Sequence, residues 1–450
     1  MARYIQYDRH QQYLLPPSVD EWLPEDHLAR YIVEVIDQLD LSKLTRRYSR
    51  SGSAAYHPAL MLALLVYGYA TGTFSSRKIE RATHDSVAFR FIAVNLHPDH
   101  DTLANFRKTF LVELEDLFVQ VLAIAQTMKL LKLGQISLDG TKIKANASKH
   151  KALSHGHIEK LEAQLRKEVQ ALLAKATETD QQEANDEHDL PAEIARREQR
   201  LQALADAKAK IVERTAQRDS HAQQAYTDKV ARREAQREAG QKPRGKEPKE
   251  PETGPKASDQ INLTDEESRI MPSHEGFVQA YNGQAAVEVD SMLIVAATLT
   301  QDTNDKQQVE PMLDELAKLE SSFGKPDTLL ADNGYFSQGN VKACDDRGIT
   351  PLIALGRDAH HLSLEERLAA DAPEPNSEDP MVKMAHALKT KQGREHYGKR
   401  KCTVEPVFGI IKQIMGFRQF SLRGLQATSG EWKLVAMAYN LKRMHVLMAG

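Results

Sequence analysis

Hydrophobic and polar positions change texture repeatedly along this 450-residue chain, and each change predicts a different kind of element. Leu28, Ile32, Val35, Ile36 and Leu39 recur at helical spacing and predict an amphipathic helix. The longest apolar run, Pro58 to Ala70, is too short to cross a bilayer and predicts a buried helix closed by Thr71-Gly72. Ser75-Ser76 caps a short basic helix with Arg77, Lys78 and Arg81. Asp101 or Thr102 caps another, carrying Asn105, Arg107 and Lys108. Short helices with exposed Arg, Lys and Asn fit a helix-turn-helix-like DNA reader, and fit an ordinary helical bundle equally well.

Gln135 to Gly140 then reads as a short strand ending in an acid and a glycine. The next hundred residues break the pattern. Ile158, Leu161, Leu165, Val169 and Leu172 mark one helix. Pro191 opens a second, in which Ile194, Leu201, Leu204 and Ile211 step like a coiled-coil seam. Gly240 to Lys256, rich in Pro, Gly, Lys and Glu, predicts a flexible linker. His150, His155 and His157 lack matched partners at metal-ligand spacing and read as solvated.

From Phe277 the texture becomes α/β. Phe277 to Val289 and Met292 to Leu299 form a hairpin around Asp290-Ser291. A helix follows from Asp305 to Leu319, a strand from Pro326 to Asp332, and a helix from Ser337 to Arg347. A strand from Ile349 to Ala354 and helices at Thr403 to Met415 and Glu431 to Met448 complete the pattern. The pattern divides the chain into an all-helical N-terminal domain (1–130), the first piece of an α/β core (131–150), a helical-hairpin insertion with linker (151–256) and the rest of the core (257–450).

Composition narrows the class. Two cysteines, Cys344 and Cys402, make neither a disulfide framework nor a zinc pair, so a reducing, cytoplasmic setting is expected. The charged N-terminus from Met1 to His10 has no apolar signal core, and no membrane role is expected. The net charge of −3 gives no global sign of a nucleic-acid partner. Its distribution does. Acids gather at Glu178 to Glu198 and Asp259 to Glu267, whereas Lys383 to Arg423 is rich in Lys and Arg, including Lys399, Arg400, Lys401 and Lys412. Such a stretch suits a polyanion, with a solvated helix surface as the competing reading.

Two expected strands end in aspartate, Asp139 and Asp332, where α/β sheets place their sites. Glu405 falls in the first turn of a helix capped by Thr403, with Pro406 beside it, and the positive helix end favours its ionised form. Lys412 lies two turns further along the same face and could reach a phosphate near Glu405. Three converging carboxylates without His or Cys make a hard-oxygen site suited to Mg²⁺ or Mn²⁺. Two such ions roughly 4 Å apart suit phosphodiester displacement. Asp302 and Asp305 compete for the second position, although Asn304 and Asp305 also read as helix caps.

The motifs Leu138-Asp-Gly-Thr-Lys-Ile-Lys-Ala-Asn146, Tyr281-Asn-Gly-Gln284, Ala331-Asp-Asn-Gly-Tyr335 and Val404-Glu-Pro-Val-Phe-Gly-Ile-Ile-Lys412 together resemble the DDE transposases of bacterial insertion sequences. The resemblance covers residues 134–150 and 260–445 strongly, and the N-terminal region weakly. It implies an RNase H-like mixed-sheet catalytic core, Mg²⁺, cleavage at the ends of the protein's own element and strand transfer into target DNA. Terminal inverted repeats and target DNA are the implied partners, and a homodimer is expected because two ends are handled together. The catalytic and metal-binding acids map onto Asp139, Asp332 and Glu405. A related Tyr-Arg-Glu-Lys signature maps onto Tyr397, Arg400, Glu405 and Lys412. Four residues separate Arg400 from Glu405 where that signature has three, so Lys401 is the alternative to Arg400. Tyr397, Lys399, Arg400, Lys401 and Lys412 are the expected DNA contacts. A nuclease without strand transfer and a non-catalytic, transposase-derived regulator are the competing functions.

Overall fold

The computed structural model describes residues 18–48, 55–179, 190–243, 245–273, 276–356, 371 and 373–449. The charged segment Met1 to His10 and part of the acidic stretch Glu178 to Glu198 lie outside them. The chain divides into two compact units, residues 1–145 with 280–450, and residues 146–279.

In the first unit, the helix Leu28–Asp37 buries Ala29, Tyr31, Ile32, Val35 and Ile36, the stripe that the apolar spacing predicts. The helix Pro58–Ala70 is buried almost all round, and its proline occupies the first turn, where no N–H is needed. Both pack on the C-terminal helix Leu425–Ala449, which carries Trp432, Tyr439 and Asn440 into the core. Asp99, rather than Asp101 or Thr102, caps the helix His100–Thr109, accepting from the Thr102 N–H at 2.8 Å. Ser75 precedes the helix Ser76–Asp85 but makes no side-chain cap bond.

Arg77, Lys78, Arg81, Asn105 and Lys108 are exposed as expected. Arg107 is not. It is buried, donating from Nη1 to the Tyr69 hydroxyl and the Phe74 carbonyl, both at 3.0 Å. Tyr69 in turn donates to the buried Glu431 at 2.6 Å. The carboxylate of Glu431 gathers the N–H groups of Ser421 and Leu422, both at 2.9 Å. The arginine is thus spent on a buried polar network, which helical spacing alone does not distinguish from a surface position.

The sheet contains β1 (Gln135–Lys144), β5 (Gly276–Glu288), β6 (Ile294–Thr300), β7 (Thr328–Ala331) and β8 (Thr350–Ile353), in the order β6-β5-β1-β7-β8. The order β6 to β8 holds two pairings of each sense: β5 is antiparallel to β1 and to β6, whereas β7 and β8 continue parallel to β1. β1 runs on through Lys144, four residues past the expected end at Gly140. The C-terminal helix is tied to this sheet. Trp432 Nε1 donates to the Gln284 carbonyl at 3.1 Å, and the Asn440 amide brackets Ile294, accepting from its N–H at 2.9 Å and donating to its carbonyl at 2.8 Å. Gly283 makes room for this packing, since a Cβ there would stand 3.2 Å from the Trp432 ring.

In the second unit, β2 (Ala152–Ser154) pairs antiparallel with β3 (Gln260–Asn262), and β4 (Arg269–Ser273) pairs with β5. Between β2 and β3 stand the helices His155–Thr179 and Leu190–Glu238. Arg197 meets Glu168 at 3.0 Å and Lys208 meets Glu162 at 3.4 Å, pairs that run in opposite chain directions and make the helices antiparallel. Their shared core is Ile158, Leu165, Leu204, Ala207, Ile211 and Ile261, with Leu161 and Leu201 at its margin. The segment after the long helix returns along it. Arg233 donates to the Gly245 carbonyl at 3.2 Å, Arg237 pairs with Glu247 at 2.6 Å, and Arg218 donates to the Gly254 carbonyl at 3.0 Å.

Candidate active site

Leu138 on β1 stands in parallel register with Ala331, the last residue of β7, and Asp139 and Asp332 come next along the chain. The sheet therefore delivers both acids to the same edge of the core, side by side. Asp332 then caps the turn Asn333–Tyr335, its Oδ1 accepting from the Gly334 N–H at 2.8 Å. Asp139 accepts from its neighbour's N–H, that of Gly140, at 2.7 Å.

The Asp139 side chain is only 19% exposed. Burial pushes its carboxyl up to about 6. The Gly140 N–H opposes that shift, Asp332 and Asp305 add to it, and Arg400 opposes it. The same three acids, Asp305, Asp139 and Asp332, act on the buried Tyr335 hydroxyl and reinforce the upward push that its burial gives.

Glu405 is half exposed and opens the helix Val404–Gly409. Arg400 connects it to Asp139. Nη1 lies 3.5 Å from Asp139 Oδ2, and Nη2 donates to Glu405 Oε1 at 3.2 Å. The turn Lys399–Cys402 carries Arg400 to this position despite its extra residue, and leaves Lys401 exposed. Thr403 does not cap the helix with its side chain; its hydroxyl donates back to the Lys399 carbonyl at 2.7 Å. A π-helical segment, Ile410–Ile414, follows directly, where a continuous α-helix to Met415 was expected.

The other expected phosphate contacts are placed differently from one another. Lys412 turns inward, donating to the Lys142 carbonyl at 2.9 Å, and burial lowers its ammonium pKa, with Lys142 and Arg418 adding to the effect. Tyr397 packs against the buried group Val289, Leu330 and Leu352. Lys399 is half-buried. Arg400, nearly buried at 11% exposure, faces the acids rather than open solvent.

The structure adds residues around Asp139: Asp305, in the sequence only a competitor for the second position, and the amides Asn282 and Gln284. Asp305 lies over Gly140, accepting from Asn282 and Gln284 amides, both at 2.7 Å, with Lys142 at 3.8 Å. A Cβ at Gly140 would meet Gln284 at 2.3 Å and Asp305 at 2.5 Å, so only glycine lets that carboxylate sit there. Tyr335 donates to the Gln284 side-chain oxygen. Asn282 and Gln284 alternate on one face of β5, and amides spaced two apart among the apolar residues Ala280 to Val287 are the signal that could have found them. Asp302, the other competitor, instead accepts from Gln308 at 2.7 Å.

Two regions of the chain match known families. Residues 17–109 match the family described as Transposase domain (DUF772), and residues 248–441 match the Transposase DDE domain. The chain belongs to the DDE transposases. No curated protein and no solved structure matches it. Asp332 and Glu405 of this transposase fall inside the DDE match. Asp139 falls outside both matched ranges, and its place beside Asp332 rests on the pairing of β1 with β7. No described helix is long and apolar enough to cross a membrane.

Proposed function

We propose that this transposase cuts DNA at the ends of its own element and joins the freed 3′ ends to target DNA, using Asp139, Asp332 and Glu405. The observation that carries the reading is the parallel register that sets Asp139 beside Asp332, with Arg400 linking Asp139 to Glu405. The strand order β6-β5-β1-β7-β8, antiparallel on one side of β1 and parallel on the other, supports an RNase H-like core.

DDE transposases depend on divalent metal. Among the described residues no three His, Cys, Asp or Glu side chains are grouped to hold an ion as they stand. The donor chemistry nevertheless fits Mg²⁺ or Mn²⁺: the acids are hard oxygen donors, and a dication would favour the ionised form that burial penalises at Asp139. Asn282 Oδ1 and Arg400 Nε are buried there without a hydrogen-bond partner among the described residues, as in a site built for a further ligand. Asp139 and Asp332 would hold the metal, with Glu405 completing the set. Bound there, it would activate the attacking oxygen and offset charge on the leaving one.

The chain's own groups do the rest. Asp305, Asn282, Gln284 and Tyr335 fix the floor beneath Asp139. Arg400 offers a cation where phosphate charge gathers. Two element ends handled together favour a homodimer. The test is a duplex ending in the element's terminal repeat, with a labelled 3′ end, incubated with target plasmid and Mg²⁺. Cleaved and joined products support the proposal, cleaved ends without joining point to a nuclease, and binding without cleavage points to a regulator.

A further inference from the structure

The long helix Leu190–Glu238 outlasts its partner. It spans 49 residues, about 74 Å, whereas the apolar core that it shares with the helix His155–Thr179 extends only to Ile211. Beyond that core its partner is the returning segment, and between them lies a groove of about 620 Å³. Tyr226, Lys229, Arg232 and Arg233 line the helix side at steps of three and four, one face of a helix. Lys246 and Lys249 line the other side, with Pro248 and Pro251 half-buried beside them.

The segregation of charge is what makes this a site. Lys246-Glu-Pro-Lys-Glu-Pro251 repeats every three residues, the period of a polyproline helix, so like residues share a face. Its lysines and prolines line the groove, whereas Glu250 does not and Glu247 is paired with Arg237, which also lies outside the lining. On the helix, Asp228, Glu234 and Glu238 are likewise absent from the lining. Five cations therefore face one groove without an acid among them, in a chain whose net charge is −3. Arg233 also braces the wall, donating to the Gly245 carbonyl at 3.2 Å. A solvated helix surface would mix both signs around its circumference, and this one sorts them.

We propose that this groove binds the phosphate backbone of duplex DNA, a contact separate from Asp139, Asp332 and Glu405. The choice of DNA over other polyanions rests on the proposed function above. Phosphate contacts of this kind position a duplex without reading its sequence.

The test uses the full chain with Lys229→Ala, Arg232→Ala, Lys246→Ala and Lys249→Ala combined, and leaves Arg233 in place to hold the wall. Binding to a terminal-repeat duplex and to a random duplex of equal length is titrated against salt. The expected result is a log–log slope shallower by about 3–4, since each phosphate contact contributes about 0.9, and a similar loss on both duplexes. Glu234→Gln with Glu250→Gln, on the outward faces, should leave the slope unchanged. Replacing the three lysines by Arg should retain it. An unchanged slope in the Ala variant, with helix content intact, overturns the proposal, as does a loss seen with single-stranded RNA but not with duplex DNA. Cleavage is scored separately. A wild type that binds but never cuts sinks the proposed function and leaves the groove standing, whereas cutting with an unchanged variant slope does the reverse.

Discussion

Arg400 Nη1 stands 3.5 Å from Asp139 Oδ2 while its other amino group holds Glu405, so one guanidinium is counter-ion to acids from two distant parts of the chain. The contact with Asp139 is long and Glu405 is half exposed, so the pair should contribute at the low end of the range for partly buried ions. Arg400→Ala should cost about 1–2 kcal/mol without metal. It also leaves Asp139 and Glu405 without their shared cation, so Mg²⁺ should raise the melting temperature of the variant more than that of the wild type. Equal Mg²⁺ shifts would show that the guanidinium does not balance these acids.

The raised carboxyl of Asp139 gives stability a pH dependence of definite sign. Its folded value of about 6 lies above the ordinary 3.8, so between those pH values the folded chain holds a proton that the unfolded chain has lost. The stabilisation is complete below pH 3.8 and is lost as pH rises through 6, on the order of 3 kcal/mol in total. Urea denaturation in EDTA at pH 4.5 and pH 6.5 should show this fall in the wild type and a smaller one in Asp139→Asn. If the two proteins lose the same amount, the proton is not on Asp139.

Cleavage should sort the acids. Ala at Asp139, Asp332 or Glu405 should abolish end cleavage and spare end binding. Asp302→Ala should cut normally, because its carboxylate is held by Gln308 outside the cluster. Asp305→Asn should fall between, about 10–100-fold slower, because an amide there faces the Asn282 and Gln284 amides that orient the floor of the site. A dead Asp302 variant, or an active Asp332 variant, would mean that the second carboxylate is misassigned.

Asp139 and Asp332 stood out in the sequence because each follows an apolar run, although only Asp332 lies at a strand end, since β1 continues past Asp139 to Lys144. Glu405 was legible through its motif and the proline that starts its helix. Asp305 was legible only as a competitor that also read as a helix cap, and it reaches the site from the loop between β6 and the helix Val309–Phe323. Arg400 was ambiguous with Lys401 for a similar reason: residue spacing assumes a regular helix, and a tight turn and a π-helical segment flank Glu405. Arg107 shows the same limit, because burial of a polar side chain depends on partners far away in sequence, here Tyr69, which in turn bonds to Glu431.

The insertion's core predicts a local response to mutation. Leu204 is 1% exposed and packs with Ile158, Leu165, Ala207, Ile211 and Ile261, all within residues 146–279. Truncating it leaves a cavity in this small core, so Leu204→Ala should cost about 2–5 kcal/mol. That cost falls on the second unit alone. Hydrogen exchange in the full-length variant should accelerate along His155–Thr179 and the first half of the long helix, while β1, β7 and the C-terminal helix keep their protection. Faster exchange in β1 or β7 to the same degree would show that the two units unfold as one.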